Sequence, residues 1–158
     1  MVLRLLRDRD ILINDGLSYV NGTSLEDIFD NDGGHGARCL INIENWSKWT
    51  LNSPMVYIEK GNLQYGFQER EIVPSNREIM VAVDELDSKT GTSGILAWRL
   101  EDKSIYSLVM WSIPYNLVFY DAYFSIGTVN LSTELTKDLL SNWYKKMYKG
   151  DPGNLVCV

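Results

Sequence analysis

Between Tyr115 and Phe124 the chain carries five aromatic side chains in ten residues: Tyr115, Phe119, Tyr120, Tyr123 and Phe124. Tyrosine joins a flat apolar ring to a hydroxyl. Such a cluster can hold a cation against ring faces or sit at a water–lipid boundary. A further pair, Tyr144 and Tyr148, is spaced i, i+4 and shares one face of any helix formed there. Residues for acid–base or covalent chemistry are scarce. His35 is the single histidine, in the flexible stretch Asp32-Gly33-Gly34-His35-Gly36. A Ser-His-Asp hydrolase would have to use it, and nothing around it resembles a nucleophile elbow. Asp30-Asn31-Asp32-Gly33 hints at a calcium loop, but Ile28 and Cys39 stand where an EF-hand needs oxygen ligands. No metal or phosphate-binding glycine motif is present. The chemistry is that of binding; no enzyme activity and no cofactor are expected.

The elements that must carry these residues read as mainly β. Arg38 to Asn45 alternates, with Cys39, Ile41 and Ile43 on one face and Leu40, Asn42 and Glu44 on the other. Val56–Glu59, Glu78–Val83, Thr92–Leu100, Ser104–Trp111 and Phe124–Val129 are further strand candidates, bounded by turn residues. Pro114 ends one strand, because it lacks a backbone donor and fixes φ. Short strands with frequent turns predict a β-sandwich. One flanking α-helix is predicted over about 132–149, capped by Ser132 or Thr133, with Leu135, Leu139, Trp143 and Met147 as its apolar stripe and Gly150 as its C-cap. Residues 1–36 are uneven. Ile11, Leu12, Ile13, Leu17, Val20, Leu25, Ile28 and Phe29 make a ragged helical face that Gly16 and Asn21-Gly22 interrupt. A short N-terminal helix, capped near Thr23-Ser24, is the most this region supports.

Length and composition set the outer bounds. The 158 residues, 45% hydrophobic and 23% charged, suit one domain with an ordinary core. No apolar run reaches the roughly 20 residues of a spanning helix. The net charge is −6, and residues 1–36 supply four of those negative charges with seven acids against three bases. No basic stripe appears, so nucleic acid is not an expected partner, nor is strong attraction to anionic lipid. Met1 to Arg7 is too short in its apolar part for a signal peptide. Cys39 and Cys157 allow one disulfide or two thiols. Asn21-Gly22-Thr23, Asn45-Trp46-Ser47 and Asn130-Leu131-Ser132 fit the glycosylation pattern, which matters only for an exported chain. Composition leaves two fates for the aromatic segment. It can pack over a sandwich end, or stand exposed as a binding surface.

Several separated motifs resemble the actinoporins, the sea-anemone cytolysin family, in the order that family shows them. They are Ile41-Asn42-Ile43-Glu44-Asn45, Leu51-Asn52-Ser53-Pro54 with Val56 to Gly61, Gly94-Ile95-Leu96-Ala97-Trp98, the run from Met110 to Gly127 with Ser112-Ile113-Pro114-Tyr115, and Trp143-Tyr144-Lys145-Lys146-Met147-Tyr148. The likeness covers roughly residues 38–148. It implies a single β-sandwich domain over 1–158 with a divergent 1–36. It also implies a pocket for phosphocholine, with Ser93, Ser112, Pro114, Tyr120, Tyr144 and Tyr148 at the headgroup and Phe119 and Tyr123 at the membrane. Phe119 and Tyr123 stand where tryptophan is usual; Ser93 and Lys60 stand where a small apolar residue and a serine are usual.

By the same resemblance the protein is secreted, binds sphingomyelin or phosphatidylcholine, forms homo-oligomers on membranes and inserts its N-terminal region as the wall of a cation-conducting pore. Family members add further strands after the helix; here Leu155–Val158 allow one short strand, and a second subunit is one way to cover the open edge. The weak periodicity of residues 1–30 supports an alternative, a non-lytic lipid- or carbohydrate-binding module on the same fold.

Overall fold

A computed structural model describes residues 2–6, 19–20, 23–24, 36–64, 70–148 and 156–157. The strands are β1 (Val2–Leu6), β2 (Tyr19–Val20), β3 (Thr23–Ser24), β4 (Arg38–Glu44), β5 (Leu51–Lys60), β6 (Asn62–Gln64), β7 (Arg77–Val83), β8 (Thr92–Leu100), β9 (Ile105–Ile113), β10 (Tyr123–Asn130) and β11 (Val156–Cys157); the helix α1 is Lys137–Tyr148. One sheet has the order β1-β4-β7-β6, a second β11-β10-β9-β8-β5, and β2 pairs with β3. All pairs are antiparallel. Among the described residues the fold is mainly β, a sandwich of two sheets with one flanking helix.

The expected face of β4 is correct. Cys39, Ile41 and Ile43 meet Met80 and Ala82 of β7, and Leu96, Trp98, Val109, Trp111 and Ile113 of the opposite sheet, in one buried core. The other face is not solvated as simple alternation suggests, since Leu40 and Asn42 are buried too. Gly61 turns the chain from β5 in one sheet to β6 in the other. Its φ is +77°, and a Cβ there would lie 2.1 Å from the Val83 carbonyl oxygen, so only glycine fits this corner.

Cys39 is a free thiol, so the disulfide alternative fails for it. Burial disfavours its thiolate and pushes its pKa upward. In the native protein Cys39 is expected to react with a thiol reagent at least about a thousandfold more slowly than in denaturant, because attack requires opening of the core. Native-state labelling as fast as that of the denatured chain would contradict this burial.

The helix departs from expectation at its start. It begins at Lys137, and Thr136 is its cap: the Leu139 backbone N–H donates to Thr136 Oγ1 at 3.3 Å. Ser132 and Thr133 lie outside it. Leu135, before the cap, packs with Leu140 inside the first turn, a hydrophobic staple that fixes the entry of the chain. The buried helical face is Leu140, Trp143, Tyr144 and Met147, with Leu139 only half-buried. The stripe is thus displaced from the expected one and draws Tyr144 inward. A twelve-residue helix is marginal alone, so docking on Ile95, Ala97, Leu108 and Met110 of the sheet stabilises it.

Near the N-terminus, Val20 lies in β2 and pairs with Thr23, with Asn21-Gly22 between them in sequence, a dipeptide that favours tight hairpin turns. Val20 and Thr23-Ser24 are therefore strand residues, not helix face or cap. Val2–Leu6 also form a strand, on β4. The rest of the N-terminal helical face, Asp30–Asp32, His35 and Gly150 lie outside the described residues. At the other end β11 pairs with β10 through Gly127 and Thr128, the short strand expected there.

Candidate functional site

One row across the larger sheet builds the site. Lys60 of β5 is the register partner of Ser93, Ser93 of Ser112, and Ser112 of Tyr123. Ser93 and Ser112 share the parity of Ile95 and Met110, so they face the helix. α1 lays Tyr144 and Tyr148 over this row. The Tyr144 hydroxyl is hydrogen-bonded to Ser93 and Ser112, which lets a phenol be buried there.

Around Tyr144 runs a ladder of rings. Its centroid is 6.0 Å from that of Tyr57, and 6.1 Å from Tyr148 in a stacked arrangement with planes 18° apart. Tyr148 in turn meets Tyr123 edge-on at 5.6 Å. Tyr57 was not among the expected site residues. It sits in β5, donates its hydroxyl to the Glu59 carboxylate, and supports the ladder from below.

The other wall is the segment between β9 and β10. Pro114 ends β9 as expected. Asn116 folds the turn, accepting the Val118 N–H on its side-chain oxygen at 2.9 Å and the Tyr120 N–H on its carbonyl at 3.2 Å. Tyr115 anchors the root of the segment against Gly36, where a Cβ would lie 2.3 Å from its ring. Gly91 also holds the root. At φ +80° it brings its backbone against Ile113 and Pro114, and a Cβ would meet the Ile113 carbonyl oxygen at 2.2 Å.

Between these walls lies a cleft of about 740 Å³. Ser93, Ser112, Pro114, Tyr120, Tyr144 and Tyr148 all line it, and so does Tyr123. Phe119 does not; it stands at the tip of the segment, 77% exposed, beside Val118 at 85%. Leu117 and Tyr120 are exposed with them, and Tyr115 and Tyr123 to a lesser degree, whereas Phe124 is half-buried against the sandwich core. Exposure in the segment therefore peaks at the tip, at Val118 and Phe119, and falls toward its root and its end. Lys60, Lys89, Lys145, Glu59 and Asp121 also line the cleft. Lys89 had no signal in the sequence, because only the fold brings its loop to this wall.

Burial pushes the Tyr144 phenol above the ordinary tyrosine range; its hydrogen bonds to Ser93 and Ser112 act in the opposite direction, and the charge of Glu59 and Tyr148 adds to the rise. A raised folded pKa favours the neutral phenol. Its contribution to stability is fully present below the unfolded pKa and is lost as pH climbs from about 10. Stability measured by urea unfolding is expected to fall above that pH, and Tyr144→Phe is expected to remove part of the decline. An identical decline in the variant would assign it to other groups.

Of the glycosylation-type sequences, Asn45-Trp46-Ser47 is closed. Asn45 is buried and its amide donates to the Trp49 and Ile72 carbonyls at 2.8 and 2.7 Å. Asn130 is exposed at the end of β10.

No protein-family model matches the chain. It is similar to curated proteins of marine snails whose names mark them as porins and toxins. It is 27% identical to conoporin Cn1 of Conus consors over 133 residues, 84% of this chain and 51% of that protein. It is 26% identical to echotoxin 2 of Monoplex parthenopeus over 118 residues, 74% of this chain and 42% of that one. Tereporin Ca1 of Terebra anilis is 26% identical over 133 residues, 84% of this chain and 68% of that protein. The chain spans about half the length of the first of these relatives.

Proposed function

We propose that this chain is a membrane-binding, pore-forming cytolysin-like protein of actinoporin type that docks on phosphocholine headgroups. The observation that carries the reading is the cleft itself: an aromatic ladder lining it, and a bare apolar tip beside it. A headgroup in the cleft would leave Val118 and Phe119 to enter the interfacial layer of the same bilayer. The names of the snail relatives point the same way. Within the described residues no helix is long and apolar enough to cross a membrane, so in this reading several copies assemble and contribute N-terminal segments to a shared cation-conducting wall. For that, β1 must leave its edge position on β4. Secretion and action at a target cell's surface complete the proposal.

A second reading, a non-lytic lipid- or carbohydrate-binding module, is favoured by one observation. Val2–Leu6 are paired along their length with β4 rather than held in a free helix. Dye leakage from vesicles with and without sphingomyelin, with pelleting in the same tubes, separates the two. Sphingomyelin-dependent leakage supports the pore former. Binding without leakage supports the module. The absence of both binding and leakage refutes the membrane role.

A further inference from the structure

We propose that Lys60, Lys89 and Lys145 read the phosphate of the headgroup, and that this cleft, besides phosphocholine, holds a lipid phosphomonoester more tightly than an anionic phosphodiester lipid. The inference rests on the cleft being a lipid headgroup site.

Two observations lead to it. First, three of the lining rings, Tyr123, Tyr144 and Tyr148, are engaged with one another. Tyr144 is buried, lies against Tyr57, and stacks on Tyr148, whose ring also meets Tyr123. A quaternary ammonium needs open ring faces, and the lining rings outside this ladder are Tyr115, 42% exposed, and Tyr120, 67% exposed. Second, three lysines line the cleft in a chain whose net charge is −6. Two acidic residues, Glu59 and Asp121, line it as well. Glu59 accepts the Tyr57 hydroxyl, and Asp121 is exposed. The lysines therefore exceed the acids at this one site, against the charge of the whole molecule. They arrive from three separate elements: Lys60 from the end of β5, Lys89 from the loop before β8, and Lys145 from the last turn of α1. Lys60 is also the register partner of Ser93, which ties it to the same row as the buried hydroxyls. Ammonium groups donate charge-assisted hydrogen bonds to phosphate oxygens, and a phosphomonoester offers more charge and one more free oxygen than a phosphodiester.

The test uses phosphatidylcholine vesicles doped with ceramide 1-phosphate, or with phosphatidylserine at matched surface charge, or with sphingomyelin. Binding is read by pelleting, and inorganic phosphate is titrated into the protein alone. The wild-type chain is expected to bind the ceramide 1-phosphate vesicles at least about tenfold more tightly than the phosphatidylserine ones. The triple variant K60Q, K89N, K145Q should lose that difference while keeping its far-ultraviolet spectrum and melting temperature. Asparagine is used at position 89 because Lys89 has φ +47°, which asparagine tolerates. Equal wild-type binding to the two charged vesicles, or a preference that survives in the triple variant, overturns the proposal and leaves the membrane reading standing. Affinity for inorganic phosphate as high as for the vesicles overturns the lipid source. No wild-type binding to any vesicle overturns the membrane reading and this inference with it.

Discussion

Replacing Val118 and Phe119 together with aspartate is expected to weaken vesicle binding at least about a hundredfold and to leave the fold intact. The two side chains are 85% and 77% exposed, so the folded protein loses almost no packing when they change. On a membrane the balance reverses. Fully burying a valine or phenylalanine is worth about 1.5–3 kcal/mol each, and aspartate both forfeits that gain and resists entering the interface. The Asn116 turn that presents the tip does not use these side chains: it takes the backbone N–H groups of Val118 and Tyr120. Pelleting titrations give the affinity, and a thermal melt reports the fold. Unchanged affinity with an unchanged melt would remove the tip from the membrane contact. The cleft would then have to bind a ligand without help from its neighbour.

Tyr144→Ala is expected to destabilise the protein by about 3–5 kcal/mol, the usual cost of truncating a buried aromatic side chain. For a chain of this size that lowers the melting temperature by roughly 10 °C. Three losses coincide. The ring leaves a void between α1 and the sheet, where it packs in one cluster with Ile95, Met110, Trp143 and Met147. Ser93 and Ser112 lose a hydroxyl partner, Ser93 within a nearly solvent-free site. The ladder loses its middle rung, which leaves Tyr148 without the ring it stacks on. Tyr144→Phe keeps the ring and removes only the hydroxyl, so it should cost about 1 kcal/mol. Vesicle binding should follow the same order, falling sharply for alanine and slightly for phenylalanine. If the two variants melted together, the hydroxyl rather than the ring would hold the helix down.

Much of the larger sheet is legible in the sequence. Thr92–Leu100 matches β8 from end to end, because a continuous β-rich run sits between clear turn residues. β5 is harder to see. Only Val56–Glu59 stands out, yet the strand runs Leu51–Lys60. Ser53 at φ +48° and Pro54 form an irregularity between Asn52 and Met55 that breaks the alternation without ending the strand. The helix is visible as a helix, but its buried face is not. By spacing Leu135 belongs to the stripe, whereas in the fold it is the residue before the cap. Val2–Leu6 give no strand signal distinct from their neighbours. Their pairing depends on β4, far along the chain.

The candidate site divides in the same way. The aromatic residues, the break at Pro114 and the i, i+4 tyrosine pair follow from local spacing, and local spacing is what a sequence records. Tyr57, Lys89 and the row from Lys60 to Tyr123 depend on which strands pair and in what register. The fate of each aromatic depends on it too. Phe124 is half-buried against the core while Phe119, five residues earlier in the same run, stays in water. Residue type alone determined that this chain would carry clustered rings and hydroxyls. Only the packing of α1 across four strands decided which rings face a cleft, which support one another, and which stand free, because burial is settled by neighbours distant in sequence.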